Sequence, residues 1–176
     1  MIYIIRLASL IAVFLLGMVT SYAKDLAATP NHAFDQVKIA YAHDQCSFKF
    51  SPVDFCDDRH VFEIKKAIAT EAANFNGHYI LLSINEWKPS AHYGDSLVVI
   101  DTLTGIVYPL PFDYYSGQIN MKNSHMLKKP NLNFSLKSNK ICIDGSILVY
   151  RAMTNGNFCF EFDGEKFTGY QTEYMR

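Results

Sequence analysis

The sequence predicts an α+β domain in which N-terminal helices pack on an antiparallel sheet or meander. Three observations carry this: a helical apolar stripe within 59–73, alternation of period two from residue 79 onward, and X-Gly dipeptides between the later apolar runs. A finer version is an incomplete propeller-like array of hairpins, suggested by the likeness between the hairpins around Asp101 to Gly105 and around Asp163-Gly164.

The chain opens with Arg6, an uncharged stretch from Leu7 to Val19, and Ser21-Tyr22-Ala23. This is the pattern of a secretory signal cleaved after Ala23, leaving 24–176 as a single mature domain. As a membrane anchor the apolar run is short, since a spanning helix needs ~20 residues. Lys24 to Pro30 reads as a leader. Phe34, Val37 and Tyr41 then recur at helical steps, predicting a short helix over His32 to Ala42 with Asn31 as its cap. Gln45 to Asp58, with Pro52 and two cysteines, reads as a loop. Val61, Ile64, Ile68 and Ala72 predict a second helix over Arg59 to Ala73, capped by Asp58 and ended by the Asn residues and Gly77.

Tyr79 to Asn85 and Ser96 to Asp101 read as strands, and Ile106 to Leu110 returns on the latter through Gly105, which suits a positive φ. Asn133 to Leu136, Lys140 to Ile143, Ile147 to Ala152, Phe158 to Phe162 and Lys166 to Gln171 are further strands, with turns expected at Asp144-Gly145, Asn155-Gly156 and Asp163-Gly164. Phe158, Phe160 and Phe162 alternate onto one face and belong to the core.

With 16 Lys plus Arg against 17 Asp plus Glu, and no basic run, the chain has no electrostatic footprint for nucleic acid. Its 49% hydrophobic and 14% aromatic content excludes intrinsic disorder. The four cysteines, Cys46, Cys56, Cys142 and Cys159, are an even number in an exported chain and predict two disulfides in a periplasmic or secreted protein. Of three connectivities, proximity favours Cys46 with Cys56 and Cys142 with Cys159. The latter requires that their strands not be first and third in a meander, where ~9.6 Å would separate them. His43, Cys46, Cys56 and His60 form a weaker zinc set, because the short knuckle spacing is missing. No metal, cofactor or membrane association after signal removal is expected.

No nucleotide-binding loop, nucleophile elbow or zinc-protease motif occurs. Ser83, Ser90, Ser96 and Ser116 share a half with His78, His92 and His125, but no spacing selects a pair. Asp95, Asp101, Asp113 and Asp144 could supply a carboxylate pair, yet Asp101, Asp144 and Asp163 are better explained as turn residues. Two long connections draw more interest. Glu86 to Asp95 carries Trp87, His92 and Tyr93, and Pro111 to Pro130 carries Tyr114, Tyr115 and Ser116. Aromatics beside Ser, Gly and Asn offer rigid contact area with adaptable hydrogen bonding, so these six residues are the candidate binding site.

Asn74-Phe75-Asn76-Gly77-His78-Tyr79 and Ile100-Asp101-Thr102-Leu103-Thr104-Gly105-Ile106-Val107-Tyr108, followed by the aromatic strand Phe160 to Phe167, resemble a group of small exported bacterial proteins of unassigned function. The resemblance implies a bacterial source and no mechanism. The expected role is a periplasmic, non-enzymatic binding or inhibitor protein, for example an immunity protein that neutralises a cell-wall-targeting toxin, with a protein partner in the envelope. The alternative is an envelope hydrolase built on a His/carboxylate or Ser/His site.

Overall fold

In the computed structural model, residues 37–41, 46–86, 94–123 and 125–176 are described, all within the compact unit His32–Arg176. The expected signal, leader, Asn31 cap and first turn of the His32 to Ala42 helix lie outside these residues.

Two long antiparallel hairpins form most of the sheet. Strands β2 (Tyr79–Asn85) and β3 (Asp95–Asp101) pair along their whole length, Tyr79 opposite Asp101 and Asn85 opposite Asp95. Strands β9 (Lys140–Val149) and β10 (Ala152–Phe162) pair from Glu161 opposite Lys140 to Ala152 opposite Val149. A three-residue strand, β5 (Tyr114–Ser116), joins them: Tyr115 pairs with Asp95 of β3, and the whole strand pairs with Ser146–Leu148 of β9. β4 (Ile106–Pro109) lies beside β5 on the same edge of β3, β8 (Asn131–Asn133) extends the edge of β9, and β11 (Phe167–Gly169) closes on β10. With β1 (Lys38–Ile39) running parallel to β4, nine strands form one continuous sheet, not a set of separate blades. β6 (Gln118–Ile119) and β7 (Met126–Lys128) make a separate small ribbon.

The near-continuous apolar runs in β2 and β3 reflect burial on both faces. Tyr79, Leu81, Leu97 and Val99 point into a cluster shared with Ile141, Ile143, Phe158, Phe160 and Phe162, so the sheet curls until its two hairpins face one another. Ile80, Leu82, Ile84, Val98 and Ile100 point the other way, under the one α-helix of the described residues, α1 (Asp58–Thr70). The helix turns His60, Ile64 and Ala67 inward, with Val61 and Ile68 half-buried beside them. Asp57, not Asp58, is its cap, accepting the His60 amide at 2.7 Å.

Several expected elements are corrected. Residues 37–41 are not helical: Lys38–Ile39 is a strand, continued by the Ala40 amide bonding the Val107 carbonyl at 2.8 Å. The free edge of β4 offers ladder partners, and Ile39 gains a place under α1, which a helix of this length could not match. The expected turns at Asp144-Gly145 and Asn155-Gly156 are mid-strand pairs of β9 and β10, and the true turn is Tyr150-Arg151. Gly145 is required by close approach, since a Cβ there would lie 2.2 Å from the Ser116 carbonyl oxygen of the neighbouring strand β5. Asp144 accordingly makes no turn; it accepts Lys128 Nζ at 2.6 Å and Gln118 Nε2 at 3.1 Å. The turn roles of Asp101 and Asp163 stand, with Asp101 accepting the Leu103 amide and Asp163 those of Glu165 and Lys166.

Both disulfides form, Cys46–Cys56 and Cys142–Cys159. Because β9 is one unbroken strand, Cys142 and Cys159 are direct cross-strand neighbours with Cα atoms 4.1 Å apart.

Candidate functional site

The residues expected to bind a partner fall in two groups. Trp87, His92 and Tyr93 lie outside the described residues. Tyr114, Tyr115 and Ser116 form β5 and are 7%, 6% and 6% exposed, so a strand stands where a loop was expected. Tyr115 puts its ring into the inner cluster and its hydroxyl 2.9 Å from Ser83 Oγ, while Tyr114 packs on the helix side. These tyrosines serve the core through their amphipathic character and present little surface to a partner.

Two described histidines, His60 and His78, are engaged structurally. His60, buried at the start of α1, sits between two carboxylates: Nδ1 lies 2.8 Å from Asp57 Oδ1 and Nε2 lies 2.9 Å from Glu86 Oε1. Arg59 holds the other Glu86 oxygen and donates to the Asn85 carbonyl at 2.8 Å. Burial alone would lower the His60 pKa, but its bonds to Glu86 and Asp57 reverse this and raise it. Burial likewise works against ionisation of Glu86 and Asp57, yet His60 and Arg59 hold both below the usual carboxylate range. The cluster ties the helix to the end of β2. It also leaves neither His60 nitrogen for the zinc set, whose sulfurs are joined as a disulfide and whose His43 lies outside the described residues. His78 Nε2 lies 3.3 Å from Asp101, whose oxygens are already used in the turn. Among the described residues no serine hydroxyl bonds a histidine ring: Ser83 bonds Asp95 and Tyr115, and Ser116 bonds the Gly117 carbonyl.

A cleft of about 1090 Å³ opens elsewhere. Its walls are the disulfide-closed loop 46–56, the Tyr150-Arg151 hairpin, the 166–168 edge and the segment 171–176. Aromatic side chains line its mouth. Phe50 is 68% exposed, Tyr150 45% and Tyr41 40%; Phe50 and Tyr150 meet at 5.7 Å, and Tyr41 faces Phe48 at 6.2 Å. Lys49 lies over the Phe50 ring and Arg151 over that of Tyr150. Tyr41, Phe50 and Tyr150 all have positive φ, at 57°, 72° and 60°. Bulky residues rarely adopt this backbone, which costs about 1 kcal/mol or more each and persists where surrounding structure holds it, commonly at binding sites.

Behind the Tyr174 wall of the cleft lies a buried polar group. Asp113, fully buried just before β5, accepts Ser51 Oγ at 2.6 Å and the Tyr174 hydroxyl at 2.8 and 3.0 Å. That hydroxyl in turn accepts the Tyr150 amide at 3.0 Å, and the Tyr174 ring stacks on Phe48 at 4.9 Å, nearly parallel at 2°. Burial pushes the Asp113 carboxyl up to about 6, against the opposing pull of Ser51 and Tyr174.

Sequence reasoning singled out neither this cleft nor Phe48, Phe50, Ser51, Tyr150 and Tyr174. One signal was available: of the three phenylalanines in the cysteine-bounded loop, Phe48 and Phe50 stand among Ser and Lys with no helical periodicity to place them in a core. Nothing local links that loop to residues some hundred positions later. No family model matches the chain, and comparisons with curated proteins and with solved structures found no similar protein.

Proposed function

We propose that the protein is a non-enzymatic binding protein of the bacterial envelope or exterior, and that it engages a protein partner through the aromatic cleft. The observation that carries this reading is the gathering of Phe50, Tyr150 and Tyr41, exposed and held by unusual backbone, at one mouth. Basic side chains at the rim, Lys49, Arg151 and Lys166, favour a partner surface with acidic groups. The two disulfides suit an oxidising compartment outside the cytoplasm, and among the described residues no helix is long and apolar enough to cross a membrane. Inhibition of a cell-wall-targeting toxin, with export to the periplasm, is the specific form of this role that we favour. Trp87, His92 and Tyr93 remain proposed contacts beside the cleft residues.

The test is a double substitution, Phe50→Ser with Tyr150→Ser. Cross-linking in envelope extract, followed by purification of the captured partner, supplies the second component for titration. The variant is expected to keep the parent's thermal stability within about 1 kcal/mol, as surface changes do, and to bind the purified partner at least a hundredfold more weakly. A partner that binds parent and variant alike would overturn the cleft as the site. If the partner is a cell-wall hydrolase, the parent is expected to inhibit it and the variant to spare it.

A further inference from the structure

The manner in which Tyr174 is held resembles a bound ligand more than a packed core residue. Its ring lies flat on Phe48, and its hydroxyl reaches behind the cleft lining, donating to buried Asp113 and accepting the Tyr150 amide. Ser51 completes the polar end by donating to the same carboxylate. Phe48 and Ser51 come from the loop closed by Cys46–Cys56, Asp113 from the approach to β5, and Tyr150 from the β9–β10 turn, so the receptor exists apart from the segment that fills it.

That segment is weakly attached. Beyond Gly169 no strand ladder among the described residues holds the chain: the Tyr170 amide bonds the Cys159 carbonyl, the Tyr170 ring packs edge-on against Phe158, and one short 3-10 turn, Glu173–Met175, follows. Gln171, Glu173 and Arg176 are exposed, while Met175 is partly packed against the inner cluster. Two buried hydroxyls, Ser47 Oγ next to Phe48 and Thr172 Oγ1 two residues before Tyr174, find no hydrogen-bond partner among the described residues. Each such orphan opposes the closed arrangement, because its hydration is lost without replacement.

We propose that the Phe48–Asp113–Ser51–Tyr150 slot is the recognition site for a tyrosine side chain presented by the partner protein, and that Tyr174 occupies it in cis until displaced. This rests on the cleft being the binding site and adds what it selects. The slot stacks a planar ring and meets a hydroxyl with both an acceptor and a donor, a match for a phenol that phenylalanine lacks. Lys49 and Lys166 at the rim favour acidic residues flanking that tyrosine, whereas Arg176 is paired with Glu173 at 3.1 Å.

The experiment uses the full chain carrying Tyr174→Ala and three probes: the capped tripeptides Ac-Asp-Tyr-Glu-NH2 and Ac-Asp-Phe-Glu-NH2, and N,N′-diacetylchitobiose as a ring-bearing sugar. Calorimetric titration is expected to show the tyrosine peptide binding the variant at least tenfold more tightly than the parent. In the same variant the phenylalanine peptide is expected to bind at least tenfold more weakly than the tyrosine peptide, and adding Asp113→Asn to erase most of that preference. Equal binding of the two peptides, no gain over the parent, or preference for the sugar would each overturn the proposal. If Tyr174→Ala fails to fold by circular dichroism, Tyr174→Phe keeps the stacked ring and removes the anchoring hydroxyl. It is then expected to raise affinity for the tyrosine peptide at least threefold, and no rise overturns the proposal. Should the peptides fail while Phe50→Ser with Tyr150→Ser still loses the partner, the slot is refuted and the cleft stands.

Discussion

Asp113 is a carboxyl group without a cationic partner, surrounded by hydroxyls and sealed from water. Its folded pKa, raised to about 6, lies above the ~3.9 of an unfolded aspartate. Folding therefore favours the protonated form: its contribution is complete below the unfolded value and is lost as pH rises through about 6. Two pKa units correspond to about 2 to 3 kcal/mol. Asp113→Asn is expected to remove this dependence, so that urea denaturation between pH 4 and 7 shows the parent losing about 2 kcal/mol relative to the variant. Parallel slopes in the two proteins would contradict it. Asp57 and Glu86 act in the opposite direction, since their lowered values make their contribution fade on acidification, and comparison with the single variant separates the two effects. In the sequence Asp113 was one of several acidic residues and nothing distinguished it. Its environment comes from Ser51 and Tyr174, more than sixty positions away on either side.

At the scale of elements, the ladder that seats β5 between β3 and β9 leaves no room for a side chain at Gly94 or Gly145, where a Cβ would meet the Tyr115 or the Ser116 carbonyl. Gly145 stands where the Ser116 carbonyl comes closest, and Ser146 Oγ donates to the neighbouring Gly117 carbonyl at 2.9 Å. Gly145→Ala is expected to cost about 2 to 4 kcal/mol, because the obstacle is backbone and the strand would have to separate from its partner. A denaturation midpoint unchanged from the parent would show that β5 is not fixed there. The close approach of β5 to β9 explains why a D-G pair stands inside a strand. A glycine between apolar runs signals a turn when its conformation matters and a close approach when its size matters, and sequence alone does not distinguish them. Helix α1, by contrast, was legible within a residue at its start, since its apolar stripe and acidic cap are local features.

At the scale of the whole molecule, the two disulfides have different tasks. Cys142–Cys159 links strands already paired along ten positions, whereas Cys46–Cys56 closes a loop that holds Phe48 and Phe50 in the cleft wall and Ser51 on Asp113 behind it. Replacing either pair with serine is expected to cost about 2 to 4 kcal/mol in chemical denaturation. Only the loss of Cys46–Cys56 is expected to weaken partner binding strongly, by tenfold or more, because it frees the wall of the site. Equal binding by the two double variants would mean that the loop keeps its shape without the bridge.

The sequence by itself determined the mixed helix and sheet class, the apolar faces of α1, β2, β3 and β10, the hairpin at Gly105 and the presence of two disulfides. Each follows from periodicity, local turn chemistry or cysteine count, all of which act over a few residues or need no geometry. Only the tertiary structure decided that β9 runs straight through Asp144-Gly145, that Tyr114 to Ser116 is a buried seam, and that Phe48, Tyr150 and Tyr174 share one cleft backed by buried Asp113. Those outcomes depend on which distant strands find each other's edges, and the free energy of that pairing is distributed over the whole sheet.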